Sequence, residues 1–272
     1  MSAARVAVVQ FPGANCEAET ARALERAGLA AEIFRWTRPA RELRDFQAYA
    51  LPGGFSWQDR VRAGALAAKG ALVEALAAEV EVRGKPVLGI CNGAQVLVEA
   101  GLAPGGDGVT LALAANRMRG RAGYFARWIH VRVEASPCVF TRRLAPGTVL
   151  ALPMAHSDGR FTSARAGRMT GLLAAGQVPL RYADARGADA PGFPANPNGS
   201  EVGAAAVCNA RGNVLALMPH PERALDLGQV SREVAGEWAD RRDRARDSDA
   251  GSGAAGPGLV VFEGLRRHLE ET

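Results

Sequence analysis

The chain has 272 residues, of which 48% are hydrophobic and 22% are charged, a composition typical of globular proteins. The formal net charge of +5 is spread along the sequence, and basic residues do not cluster with aromatic ones, so we expect no nucleic-acid partner. No apolar run reaches about 18 residues, and the N-terminal residues lead directly into a strand pattern. We therefore expect neither a membrane span nor a secretory signal.

The first part of the chain alternates between short apolar runs, typical of strands covered on both faces, and helical patterns. Strands that alternate with helices at this spacing predict an α/β fold with a mostly parallel, doubly wound sheet, whose sites lie at the carboxyl ends of the strands. The predicted elements, in chain order, are a strand at 5–10, a helix at 17–28, strands at 31–36 and 47–51, a helix at 65–83, a strand at 86–90 and a helix at 94–100.

The second half changes character, because residues 126–133 alternate between apolar and polar side chains as an antiparallel strand does. Residues 228–258 are polar and end in a Gly/Ala/Ser-rich stretch, which predicts a partly flexible insertion within a single domain spanning residues 1–272. The other predicted elements are strands at 149–153, 179–182, 204–209 and 214–218 and a helix at 259–269.

A cysteine lies at the turn from the 86–90 strand into the next helix, with Gly89 and Gly93 two residues away on either side. This is the Gly-x-nucleophile-x-Gly elbow with Cys in place of Ser, and its glycines avoid a clash between strand and helix. The helix N-terminus favours a thiolate at Cys91, and the backbone N–H of Asn92 is placed to stabilise an oxyanion. The alternative is a small buried cysteine at an ordinary strand end.

A cysteine nucleophile needs a base and a group that orients the base. His220 and Glu222 alternate with two prolines, which keep the segment extended and turn both side chains to the same side. We therefore predict His220 as the base and Glu222 as the carboxylate behind it. The histidines interpreted as ordinary surface or core residues are His130, His156 and His268.

A second oxyanion donor is expected from the loop over residues 51–56, because Gly53 and Gly54 permit close approach of the backbone. The alternative is a simple turn after a strand. The sequence has no Walker A motif and no dinucleotide fingerprint, so we expect no nucleotide site in this chain. The four cysteines are widely spaced and form no CxxC motif, which argues against a zinc site and a disulfide framework and predicts a cytoplasmic location.

The Gly-x-Cys-x-Gly-x-Gln sequence around Cys91, followed by Pro-His-Pro-Glu at 219–222, resembles class I glutamine amidotransferases. Further blocks narrow the resemblance to the glutaminase subunits of phosphoribosylformylglycinamidine synthase. The chain departs from that family at Trp57-Gln58-Asp59, where Tyr-Gly-Asp is expected, and at residues 155–159, where a His-Gly-Glu-Gly pattern is expected. The matching blocks are residues 10–16, 51–56, 89–95, 155–161, 196–200 and 218–223.

The resemblance implies a flavodoxin-like, three-layer fold with helices on both faces of the sheet and an antiparallel extension. It implies Cys91 as the nucleophile, His220 as base and later acid, and Glu222 as the orienting carboxylate. Oxyanion and glutamine binding are then expected at Gly53, Gly54, Phe55, Asn92 and Gln95. The other cysteines, interpreted as structural, are Cys16, Cys138 and Cys208.

The implied reaction is glutamine hydrolysis through a γ-glutamyl thioester, with ammonia passed to a separate synthetase subunit in purine biosynthesis. That partner would use ATP and Mg²⁺, a small third subunit would bridge the two, and this chain would need no cofactor or metal. Two alternatives remain open from the sequence. One is another elbow-cysteine hydrolase of flavodoxin-like fold, such as a peptidase or deglycase, and the other is a non-catalytic subunit that binds the synthetase.

Overall fold

The computed structural model describes residues 3–106, 108–246 and 251–272. Its centre is a nine-stranded sheet, and β1 shows why a sheet forms there, since Val6, Ala7, Val8 and Val9 are all fully buried on both faces. The strands are β1 (Arg5–Gln10), β2 (Ala30–Arg35), β3 (Ala48–Leu51), β4 (Val87–Ile90), β5 (Ala112–Ala114), β6 (Phe125–Val133), β7 (Val149–His156), β8 (Arg160–Thr162), β9 (Leu180–Ala183), β10 (Ala204–Cys208) and β11 (Val214–Leu217).

The helices pack against this sheet and against one another. Helix α1 lies on β1 and β2, α4 lies on β3, β4 and β11, and α7 packs against α1. The helices are α1 (Glu17–Arg26), α2 (Ala65–Ala68), α3 (Ala71–Arg83), α4 (Asn92–Glu99), α5 (Arg168–Ala174), α6 (Glu237–Arg246) and α7 (Leu259–Glu271).

The order of the large sheet is β2-β1-β3-β4-β11-β10-β9-β6-β7. The strands from β2 to β11 in this order run parallel, and the remaining pairs are antiparallel. The predicted α/β fold with an antiparallel extension is therefore confirmed. Because β4 and β11 are parallel neighbours, with Ile90 opposite Leu217, the segments that follow them leave the sheet at the same edge. Those segments carry Cys91 and His220.

Three local features differ from the sequence prediction. The helix predicted over 65–83 is divided, because Gly70 adopts an extended conformation between α2 and α3. Strands β5 and β8 form a separate two-stranded sheet, and each has only three residues, too few for a periodic pattern. Helix α5 was also not predicted from the sequence.

The segment predicted as a polar insertion, 228–258, contains α6 and a short helical turn at Gly251–Gly253. Trp238 anchors it to the sheet, because its indole N–H donates to the carbonyl of Val149 at 2.8 Å. Residues 254–258 are also hydrogen-bonded to a distant part of the chain, since the N–H of Gly258 donates to the carbonyl of Ala224 at 2.7 Å. Residues 247–250 lie outside the described residues, and the assignment of this segment as an insertion stays a prediction.

Candidate active site

The turn after β4 has the geometry of a nucleophile elbow. Cys91 has φ 50° and ψ −104°, an unfavourable conformation for a residue with a side chain, and α4 begins at the next residue. A Cβ on Gly93 would overlap the carbonyl oxygen of Leu51, and a Cβ on Gly89 would lie 2.6 Å from the carbonyl oxygen of Gly93. The two glycines are thus required by close contact between strand and helix, and they allow the strained turn that presents the Cys91 thiol.

His220 reaches the elbow from the neighbouring strand β11. Its backbone N–H donates to the carbonyl of Pro153 at 2.8 Å, and its Nδ1 lies 2.6 Å from Oε1 of Glu222. Both side chains are buried, with 3% and 2% of their residue surfaces exposed. Within the described part of the chain, Nε2 of His220 has no hydrogen-bond partner. The imidazole is therefore oriented from one side and left available to substrate on the other.

The charges around His220 favour its protonated form. Burial by itself opposes the charge, but the Glu222 carboxylate and the Cys91 sulfur raise the pKa of His220 well above its usual value. The nearby sulfur of Cys16 acts in the same direction. The site thus holds an imidazolium beside Cys91, the partner that a cysteine nucleophile requires.

The loop after β3 brings backbone amides to the elbow. A Cβ on Gly53 would lie 2.8 Å from Cε1 of His220, so only glycine leaves room for the imidazole here. Gly54 has φ +151°, and the N–H of Phe55 already donates to the carbonyl of Gly13 at 2.9 Å. The backbone N–H groups of Gly54 and Phe55 were both expected to bind the oxyanion, but that of Phe55 is already hydrogen-bonded within the protein. This leaves Gly54, together with Asn92, as the candidates for the oxyanion.

Asn92 and Gln95 connect the elbow to the loops around it. The Asn92 amide accepts from the N–H of Ser56 at 2.9 Å and donates to Oε1 of Gln95 at 2.9 Å. Gln95 in turn donates to the carbonyl of Asp158 at 2.7 Å. Gln95 lines the cavity, but the oxygen and the nitrogen of its side-chain amide are both hydrogen-bonded to other protein groups. Its side chain thus fixes the loop after β7 beside the cavity.

Cys16 is a site residue that the sequence analysis assigned a structural role. Its sulfur accepts from Nη2 of Arg223 at 3.1 Å, and it lines the same cavity as Cys91 and His220. Burial is the main reason that the pKa of Cys16 is raised above its usual value. The place of Cys16 in the site could have been inferred from topology, because Cys16 follows β1, and the carboxyl ends of neighbouring parallel strands meet at one edge. Cys138 and Cys208 are fully buried, as expected of structural cysteines.

His156 also lies at the cavity, although it was interpreted as an ordinary histidine. Its Nδ1 contacts Oδ1 of Asn116 at 3.1 Å. Burial, with a smaller contribution from the charge of His220, lowers the pKa of His156 to about 3, so the ring is neutral at physiological pH. A Cβ on Gly159 would overlap this ring. His156 therefore forms a neutral wall of the cavity.

The donor atoms of Cys16, His220 and Glu222 all lie within 4.8 Å of one another, a set that could ligate a metal ion. Two contacts disfavour this use. Nδ1 of His220 is already bonded to Glu222, and the guanidinium of Arg223 places a positive charge against the sulfur of Cys16. In this arrangement His220 is paired with Glu222, and the sulfur of Cys16 is paired with Arg223.

The CobB/CobQ-like glutamine amidotransferase domain matches residues 3–251 of the chain. Phosphoribosylformylglycinamidine synthase subunit PurQ of Methanothrix thermoacetophila is 42% identical over 277 residues, which cover 98% of each protein. The subunit of the same name from Thermomicrobium roseum is 47% identical over 224 residues, covering 82% of this chain and 88% of that subunit. The similarity therefore extends over most of the chain and is not confined to the elbow and the residues beside it.

A chain in the structure of PurLQS from Thermotoga maritima superimposes with a TM-score of 0.70 at 30% identity, covering 99% of this chain and 100% of the other. A protein of Thermoplasma acidophilum that is described as a GMP synthase subunit has a TM-score of 0.52 at 13% identity, which supports the fold alone. Sequence and structure therefore agree: the chain belongs to the PurQ family of phosphoribosylformylglycinamidine synthase subunits, whose domain is that of the CobB/CobQ-like glutamine amidotransferases.

Proposed function

We propose that this chain is the glutaminase subunit of a phosphoribosylformylglycinamidine synthase, and that it hydrolyses glutamine with Cys91, His220 and Glu222. The observation that carries the proposal is the pairing of the strained elbow at Cys91 with a buried His220 that Glu222 holds at 2.6 Å. A scaffold without catalysis has no need of a backbone strained at this position. Membership of the PurQ family favours the glutaminase over a peptidase or deglycase.

The first half of the reaction forms a thioester. The Cys91 thiolate attacks the side-chain amide carbon of glutamine, and the carbonyl oxygen becomes an oxyanion that the N–H groups of Gly54 and Asn92 stabilise. Protonated His220 then gives its proton to the amide nitrogen. The C–N bond breaks, ammonia leaves, and a γ-glutamyl thioester remains on Cys91.

The second half releases glutamate. His220 is now neutral and removes a proton from water, and the resulting hydroxide attacks the thioester carbon. Collapse of the tetrahedral intermediate breaks the C–S bond and restores the Cys91 thiolate. His220 has regained the proton that it needs for the next cycle. The Glu222 carboxylate stabilises the imidazolium in both halves, as the position of the pair predicts.

The ammonia serves a separate synthetase subunit, the role expected of PurL in an assembly of the PurLQS type. We propose that this partner makes phosphoribosylformylglycinamidine with ATP and Mg²⁺, that a small third subunit joins them, and that the chain itself carries no cofactor. We place the reaction in the cytoplasm, because all four cysteines are free thiols, as in a reducing compartment. No helix in the described ranges is long and apolar enough to cross a membrane.

The proposal is tested by measuring glutamate release from glutamine by the chain mixed with the synthetase subunits of its own organism. ATP and formylglycinamide ribonucleotide are included, and each component is omitted in turn. We expect glutamate release that matches amidine formation and that falls when the synthetase is left out. A chain that forms the complex but releases no glutamate under any of these conditions would contradict the proposed function.

The pH dependence provides a second test, because Glu222 raises the pKa of His220. In Glu222→Gln the carboxylate charge is lost, so the pKa of His220 falls and the protonated acid is lost at lower pH. The alkaline limb of kcat should therefore move to lower pH, and kcat should fall by about 10²–10⁴-fold. The measurement is the pH–rate profile of glutamate release under saturating glutamine.

Glu19→Gln is the matched control, because it also removes a carboxylate near the site. Glu19 lies 3.3 Å from Nη2 of Arg223 and makes no hydrogen bond to the imidazole. The alkaline limb of kcat in Glu19→Gln should lie at the same pH as in the unaltered chain. An unmoved limb in Glu222→Gln, or equal shifts in both variants, would contradict the role assigned to Glu222.

A further inference from the structure

The loop that follows Gly54 holds a rare backbone conformation beside the cavity. Trp57, Gln58, Asp59 and Val61 have φ values of 50°, 59°, 52° and 72°, in the left-handed region that favours glycine. A residue with a side chain is strained there, and such strain persists only where the surroundings impose it. Other contacts must therefore stabilise the conformation of this loop, and we expect the conformation to serve a function.

The support comes from packing and hydrogen bonding on the outer side of the loop. The N–H of Trp57 donates to the carbonyl of Pro12 at 2.7 Å. The indole of Trp57 packs against Phe11, with ring centroids 5.5 Å apart, and against Trp36, with centroids 5.6 Å apart. With its aromatic residue fixed on this side, the loop turns Asp59 toward the cavity that contains Cys91 and His220.

Within the part of the chain that the structure describes, the carboxylate of Asp59 has no cationic partner. Oδ1 accepts a hydrogen bond from Nδ2 of Asn92 at 3.2 Å, which fixes the carboxylate next to the elbow. Burial, and then the negative charge of Asp158, raise the pKa of Asp59. Among residues 3–106, 108–246 and 251–272, neither Asp59 nor Asp158 forms a salt bridge. By contrast, the two cationic side chains in the cavity lining are each paired with a carboxylate, Arg223 with Glu19 and His220 with Glu222.

We propose that Asp59 binds the α-ammonium group of the substrate and so selects a free amino acid, which deepens the proposed function and rests on it. A substrate glutamine brings one positive charge into the cavity, on the α-ammonium group, and Asp59 is the acidic side chain of the cavity lining that is left without a cation. The ammonium would supply the missing counter-charge and a hydrogen-bond donor in one group. The strain of the loop then has a purpose, since it keeps this carboxylate in place before substrate arrives.

The test compares glutamine with glutaramic acid, which has the same side-chain amide and carboxylate but no α-amino group. Both are assayed as amide hydrolysis by the complex with the synthetase subunits, ATP and formylglycinamide ribonucleotide. The unaltered chain should prefer glutamine strongly. In Asp59→Asn we expect kcat/KM for glutamine to fall by about 100-fold, mainly through KM, and kcat/KM for glutaramic acid to stay within about threefold.

Asp158→Asn is the matched control, because it removes the neighbouring charge and leaves Asp59 in place. We expect a smaller loss of kcat/KM for glutamine than in Asp59→Asn. Equal losses for both substrates in Asp59→Asn would show a purely structural role and overturn the proposal, as would a larger effect of Asp158→Asn. In either case glutamine would still be hydrolysed, whereas failure of the proposed function would leave glutamine intact in every variant, the unaltered chain included.

Discussion

Cys91→Ala is expected to lower glutamate release by at least about 10⁴-fold while leaving the fold and the complex intact. The side chain is small, only 7% exposed, and lies at a turn whose backbone Ala can follow at a similar cost. What is lost is the nucleophile, and water held in the same cavity cannot form the thioester. The measurement is glutamine-dependent glutamate release by the assembled synthase.

Two controls separate chemistry from structure in this variant. With ammonium chloride supplied in place of glutamine, the complex that contains Cys91→Ala should still make the amidine, because the synthetase is unaltered. Cys208→Ala, which removes a fully buried thiol outside the cavity lining, should keep its glutaminase activity. Substantial glutamate release by Cys91→Ala would mean that another group is the nucleophile, and Cys16 would be the first to examine.

Gly93→Ala is expected to have the largest effect on stability. The added Cβ would overlap the carbonyl oxygen of Leu51, and backbone on both sides of the contact belongs to the core of the sheet and to α4. Neither side can move without disturbing the elbow. We expect a loss of roughly 3 kcal/mol in the free energy of unfolding and a fall in Tm of roughly 5–10 °C, measured by thermal unfolding.

Gly171→Ala makes the same chemical change at a permissive position. Gly171 lies within α5, and a Cβ built there meets nothing within 4 Å. Ala has the higher helix propensity, so the free energy of unfolding should stay constant or rise by up to about 1 kcal/mol. A Tm of Gly93→Ala that equals that of Gly171→Ala would show that the elbow can relax, and the packing argument would then be wrong.

The parts of the site that the sequence predicts are those encoded locally. Cys91 lies between two glycines that are required for steric reasons. His220 and Glu222 are two residues apart in a segment whose backbone is restricted by its prolines. Their meeting follows from topology, since each ends one of two parallel strands that pair in the sheet. The parallel half of the sheet was predictable for a similar reason, because its strands are continuous apolar runs.

The remaining features depend on contacts distant in sequence. The place of Cys16 against His220 and Arg223 follows from the sheet order β1-β3-β4-β11, whose parallel pairings bring the ends of β1 and β11 to the same edge. That the Phe55 amide is occupied depends on Gly13, more than forty residues earlier in the chain. The conformation of the loop at Asp59 could not be predicted from the sequence. Positive φ values are normally signalled by glycine, and here tertiary packing imposes them on other residues.

The central claim, that the elbow thiol attacks glutamine, is tested most directly by trapping the intermediate. The complex is quenched in acid during turnover of glutamine, digested, and examined by mass spectrometry for a γ-glutamyl thioester. We expect the adduct on the peptide that contains Cys91, with none on the peptide that contains Cys16, and its loss in Cys91→Ala. An adduct on Cys16, or full turnover with no adduct on Cys91, would contradict the mechanism.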